Sequence, residues 1–147
     1  MKQKITDDMK NAMRAGDKPR LGTIRLILAA LKQIEVDERL DSIPDERVIA
    51  TLDKMAKQRR ESIEQYEKAG RDDLADIEKA ELVIIQEYLP AALSDEEINS
   101  LIESAISDTG AASIKDMGKV MGLLKPKMQG RADMGKVSGL IKARLNA

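Results

Sequence analysis

Apolar residues recur along this chain at three- and four-residue intervals, and the interruptions of that rhythm divide it into helices. Ile5, Met9, Ala12 and Met13 form one face of a first amphipathic helix, which Gly16 ends. Pro19 suits a first helical turn, and Leu21, Ile24, Leu28, Leu31 and Ile34 then run at heptad-like spacing to about Leu40. A third helix opens with Ser42 as cap and Pro44 near its first turn, carries Val48, Leu52, Met55, Ile63 and Tyr66, and closes at Gly70. Leu74, Ile77, Leu82, Ile85 and Tyr88 make a fourth. The sharpest boundary follows at Leu89-Pro90-Ala91-Ala92-Leu93, where few backbone hydrogen bonds are expected to protect the chain from proteases. Ser94-Asp-Glu-Glu97 then reads as a capping box, launching a fifth helix through Ile98, Leu101, Ile102 and Ala105 to Gly110. Strand alternation is found nowhere, so the expected fold class is all-α.

The last quarter repeats itself. Asp116-Met-Gly-Lys-Val-Met-Gly-Leu-Leu-Lys125 returns as Asp133-Met-Gly-Lys-Val-Ser-Gly-Leu-Ile-Lys142, with eight of ten positions identical. Lys125-Pro-Lys-Met-Gln-Gly-Arg-Ala132 links the copies. Each copy sets two glycines four apart, Gly118 with Gly122 and Gly135 with Gly139, in an otherwise helical pattern. Glycine within a helix costs about 1 kcal/mol relative to alanine, so the pairs need an offsetting benefit. A bare strip of backbone that admits another helix or a ligand supplies one. The expected arrangement is divided, with one glycine of each pair packed inside and the other facing out.

Composition narrows the chemistry. The chain has 147 residues, no histidine, no cysteine, and only Tyr66 and Tyr88 as aromatics. That removes disulfides, thiolate nucleophiles, imidazole bases and histidine-ligated metals. No pairing of nucleophile and base is visible, so no catalytic residue, metal or cofactor is expected. The N-terminus shows no signal-peptide pattern, and the run Leu26 to Leu31 is too short to span a bilayer, which predicts a cytoplasmic, soluble protein without membrane contact.

Charge is unevenly spread. Residues 72–108 carry a net −10, whereas residues 111–147 carry a net +6 from Lys115, Lys119, Lys125, Lys127, Arg131, Lys136, Lys142 and Arg144 against Asp116 and Asp133. A basic end on an acidic body suggests an anionic partner. The alternative is that the basic segment docks on the acidic one or that both are solvated faces. Gly130-Arg-Ala-Asp-Met-Gly-Lys-Val137 has the spacing of a phosphate-binding loop, but Val137 replaces the magnesium-holding hydroxyl and Asp133 sets a negative charge in the cradle. Lys57-Gln-Arg-Arg60 is read as a solvated helix face, with Lys57–Glu61 and Arg60–Glu64 as i,i+4 pairs.

These motifs bear a family resemblance. The repeated Asp-Met-Gly-Lys-Val, Leu89-Pro90, Arg20-Leu-Gly-Thr-Ile-Arg-Leu-Ile27, Gln58-Arg-Arg-Glu-Ser-Ile-Glu-Gln-Tyr66 and Gly70-Arg-Asp-Asp-Leu74 resemble the YqeY-like proteins, free-standing relatives of the C-terminal helical region of GatB, a component of the aspartyl/glutamyl-tRNA amidotransferase. The resemblance implies a larger N-terminal helical domain, residues 1–92, and a small C-terminal three-helix domain, residues 93–147. In the amidotransferase the corresponding tail helps hold misacylated tRNA. The matching positions here are Gly118, Lys119, Gly122, Lys125, Gly135, Lys136 and Gly139.

The catalytic parts of that enzyme have no counterpart in this chain. The expectation is therefore a non-catalytic accessory protein whose basic repeat contacts tRNA or another structured RNA. Its candidate contact residues are Lys115, Lys119, Lys125, Lys127, Arg131, Lys136 and Lys142. With so few aromatics, contact would be to phosphates and shape rather than by base stacking. Two alternatives stay open: a module that docks on an amidotransferase or another translation protein, and a component of a carbon–nitrogen ligase using glutamine as amido donor, active only in a complex.

Overall fold

The computed structural model describes residues 1–146. Seven α-helices and one 3-10 turn follow each other: α1 (Lys2–Ala15), α2 (Lys18–Asp37), α3 (Asp45–Lys68), α4 (Asp72–Glu87), α5 (Asp95–Thr109), the turn Ile114–Asp116, α6 (Met117–Met128) and α7 (Met134–Leu145). No strand occurs among the described residues, and the fold is all-α. Contacts group into two compact units, Met1–Leu89 and Pro90–Ala147.

In the first unit α3 and α4 form a long antiparallel hairpin, α1 lies on α2, and α2 also packs on α4. The hairpin turns at Gly70, whose φ of 71° is the left-handed conformation that lacks a steric penalty only for glycine. Ile5, Ile24, Ile27, Leu31, Val48, Leu52, Ala56 and Ile85 fill the core. Two helix ends depart from the periodicity. α2 stops at Asp37 rather than near Leu40, because Arg39 takes a φ of 53° and the Leu40 N–H turns back to the Glu35 carbonyl at 2.9 Å. Pro44, not Ser42, is the N-cap of α3, because the Ile43 N–H is held by the Glu35 carboxylate at 2.9 Å and its side chain is buried. The basic cluster on α3 is also wired differently. Arg59 crosses to Glu81 on α4 at 3.2 Å, and Glu64 pairs with Lys68 at 2.9 Å.

Glu35 is a buried acid, and it stays charged because the Lys2 ammonium and the Ile43 N–H both reach it. Those contacts, the lysine first, hold its carboxyl below the usual carboxylate range. At the other end of α2, the Arg20 fork holds Glu87 at 2.7 and 3.2 Å, and the Tyr88 hydroxyl donates to Asp8 at 2.6 Å. The Tyr88 bond chiefly lowers Asp8, Arg20 chiefly lowers Glu87, and burial followed by the Asp8 bond raises Tyr88.

The three lowered carboxyls bind protons more weakly folded than unfolded. Their stabilisation is present above the ordinary carboxylate range and is lost as pH falls through the folded values. The urea midpoint of the first unit is expected to drop on acidification, and Glu35→Gln to flatten part of that drop. An unchanged profile in Glu35→Gln would contradict the assignment.

In the second unit α6 packs between α5 and α7 over Ile98, Ile102, Val120, Leu124, Met128, Val137, Ile141 and Leu145. The capping box of α5 is formed: the Glu97 N–H donates to Ser94 Oγ at 3.1 Å, and the Ser94 N–H reaches Glu97 Oε1 at 3.5 Å. The preceding segment is better protected than expected. The Leu93 N–H donates to the Arg131 carbonyl at 2.8 Å, and Arg131 Nε donates to the Ala91 carbonyl at 3.0 Å. The linker between the repeats also starts later than its sequence suggests, since α6 runs through Pro126 to Met128. Proline there removes the N–H that would reach the Gly122 carbonyl, but Gly122 is exposed and water can take its place. Burying Met128 completely offsets the loss.

Candidate nucleic-acid interface

The repeat places the same residues on the same faces of two helices. On α6, Val120, Leu124 and Met128 point into the core, and on α7 Val137, Ile141 and Leu145 do the same. At 3.6 residues per turn the opposite faces carry Gly118, Gly122 and Lys125, and Gly135, Gly139 and Lys142. All six are exposed. A β-carbon added at Gly118, Gly122 or Gly139 would meet nothing within 4 Å, and at Gly135 only the Asp133 carboxylate at 3.3 Å. The expected division, one glycine of each pair inside, is therefore wrong. The spacing that puts Val120 and Val137 in the core leaves both members of each pair on the far side, and each strip offers bare backbone to solvent.

The basic residues fall into two groups. Lys115 on the 3-10 turn, Lys119, Lys125 and Lys127 on α6, and Lys142 on α7 are exposed and make no ion pair among the described residues. Lys125, Lys127 and Lys142 lie in the last turns of their helices, where the helix dipole favours positive charge. The other group is tied down. Lys136 reaches Asp95 on α5 at 3.4 Å, Arg144 reaches Glu103 at 3.1 Å and Asn99 at 3.3 Å, and Arg131 holds Ala91. Docking of the basic segment onto acidic α5 thus accounts for Lys136 and Arg144 and leaves five lysines outward. The unit is close to neutral, with eight bases and seven acids in residues 90–147, so its basic character belongs to one side.

The two copies of Asp-Met-Gly-Lys-Val are capped differently. Asp133 accepts from the Gly135 N–H at 2.9 Å, filling the start of α7 with its own carboxylate. Asp116 turns back to accept from the Ala112 N–H at 3.0 Å, the main cause of its lowered pKa. The phosphate-loop spacing has no matching architecture, since helix α6 precedes it and Asp133 occupies the helix N-terminus. Gly130, at φ 79°, makes the turn between α6 and α7.

The strips predict a stability outcome. Gly122→Ala and Gly139→Ala lie within helices with open space around them, and each is expected to raise stability by about 0.5–1 kcal/mol, read as an increased melting temperature. Gly135→Ala should gain less, because the Asp133 cap must shift.

Elsewhere polar groups are satisfied: no buried side-chain nitrogen or oxygen lacks a partner among the described residues. No group of three acidic ligands that could hold a metal forms among them. No helix among them is long and apolar enough to cross a membrane.

The fold and this face define a class: small all-helical proteins whose C-terminal helical repeat shows glycine strips and lysines to solvent. The chain matches the profile of the family described as Yqey-like protein over residues 2–145, and it belongs to that family. It is similar to proteins named Altered inheritance of mitochondria protein 41, mitochondrial, from several fungi. Identity is 33% over 88% of this chain for that of Pyrenophora tritici-repentis, 34% over 77% for Vanderwaltozyma polyspora, and 39% over 63% for Eremothecium gossypii. The matches span 71, 64 and 52% of those relatives' own lengths.

Proposed function

We propose that the second unit binds structured RNA, with tRNA as the foremost candidate, and that the protein acts as a non-catalytic accessory factor in translation. The observation that carries this is the set of five outward lysines without an ion pair among the described residues, Lys115, Lys119, Lys125, Lys127 and Lys142, beside two strips of bare backbone. Lysines of this kind meet phosphates as point charges, and a glycine strip lets a sugar–phosphate chain approach the helix closely. Residues 90–147 contain no aromatic side chain, so recognition would rest on phosphates and shape. We place this chain in the cytoplasm, whereas the named fungal relatives are mitochondrial.

Fluorescence anisotropy of labelled tRNA against the full chain tests the reading. Affinity should fall steeply with salt, with a log–log slope of about −4 for five contacts. Absence of binding even at low salt would turn the argument to a second reading, in which the glycine strips receive a helix of an amidotransferase or another translation protein. The same docking would be required if the chain served as one component of a glutamine-using carbon–nitrogen ligase.

A further inference from the structure

We propose that the outward face of α2 is a self-association surface, on which a second copy of this chain lays its own α2 in parallel as a short two-stranded coiled coil. α2 buries Thr23, Ile24, Ile27, Leu31 and Glu35. Directly opposite lie Gly22, Leu26, Ala29, Gln33 and Val36, all exposed, at alternating intervals of four and three residues. That is the spacing of a coiled-coil seam, with Leu26 and Gln33 in one core position and Gly22, Ala29 and Val36 in the other. Leu26 is 47% and Val36 59% exposed, so this helix is apolar on both sides yet covered on one. Met13, Ile77, Val83 and Ile114 are also exposed, but they do not form such a row.

The flanks and the seam identify the occupant. Arg25 and Lys32 border the seam on one side, and Ala30 and Asp37 on the other. In a parallel pair each Lys32 faces Asp37 of the partner subunit, five residues further along, and symmetry makes that contact twice. In an antiparallel pair the Arg25 and Lys32 flank would meet the same flank of the other copy, base against base. On the seam itself Gln33 donates its amide to the Asp37 carboxylate of its own helix at 2.8 Å, and Lys32 of the partner subunit would bond that carboxylate's other oxygen. Gly22 and Ala29 are small enough to let the two backbones come close. Five seam residues make a small contact, so the dimer is weak and reversible.

Sedimentation velocity of the full chain from about 1 to about 500 μM tests this. The weight-average mass should rise with concentration from the 16.3 kDa of the monomer. Leu26→Glu should keep it at the monomer value while leaving the helical spectrum and melting temperature unchanged, because Leu26 supports nothing inside the fold. Lys32→Glu and Asp37→Lys should each weaken association by roughly threefold, and the double variant should restore it. The chain has no cysteine, so Val36→Cys gives a clean register probe. Mild oxidation should link it to its own copy in a parallel pair, whereas antiparallel helices would hold the two sulfurs about 20 Å apart. A monomer at every concentration, association that survives Leu26→Glu, or a Val36→Cys variant that dimerises without cross-linking would overturn the proposal.

Discussion

Reversing Lys119, Lys125 and Lys142 to glutamate is expected to lower affinity for tRNA by about a hundredfold or more at moderate salt, with the helical spectrum unchanged. Each phosphate contact contributes on the order of 1 kcal/mol at that ionic strength through counterion release, and a reversed charge adds repulsion to the loss. The log–log salt slope should become shallower by about 3. None of the three lysines is ion-paired among the described residues, so the fold loses little beyond the dipole contribution of the two in last turns. Lys136 is unsuitable for this test. It contacts Asp95, and a glutamate there would set acid against acid between α7 and α5 and so mix an effect on the fold with one on binding. Tight binding by the triple variant would remove the RNA reading from this face.

Leu124→Ala is expected to cost about 2–5 kcal/mol, enough to melt the second unit at moderate temperature. Leu124 is fully buried on α6, the helix that packs on both α5 and α7, and shares a core with Ile102 and Ile141. A unit this small has little stability to spare. The first unit has a separate core around Ile24, Leu31 and Leu52, so its melting should be unaffected and calorimetry should show two transitions. A single cooperative transition displaced to lower temperature would mean that the units do not unfold independently.

The capping box at Ser94 and the stops at Gly16, Gly70 and Gly110 were legible because they rest on residues close in sequence: a hydroxyl three positions from a glutamate, and glycines that take left-handed conformations. The start of α3 was not, because Ile43 is drawn out of the helix by Glu35, eight positions away on another element. The same holds for Arg59, whose partners Glu78 and Glu81 lie about twenty positions away on α4. α6 outlasts Pro126 for a related reason, since local chemistry argued for a stop and burial of Met128 prevailed.

At the candidate site, the sequence by itself determined the inventory: a duplicated glycine and lysine pattern, helical spacing, and too few aromatics to stack bases. Period and repetition are enough for that, because a helix maps sequence spacing directly onto faces. Which glycines face out and which bases remain free were decided only by the tertiary structure. Both glycines of each pair turn away from the core because Val120, Leu124, Val137 and Ile141 claim the inner face together. Lys136 and Arg144 lose their freedom to Asp95 and Glu103, more than forty positions away on α5, while Lys119, Lys125 and Lys142 form no ion pair among the described residues. Ion pairing across helices depends on which elements pack side by side, and the spacing along one helix carries no record of its neighbour.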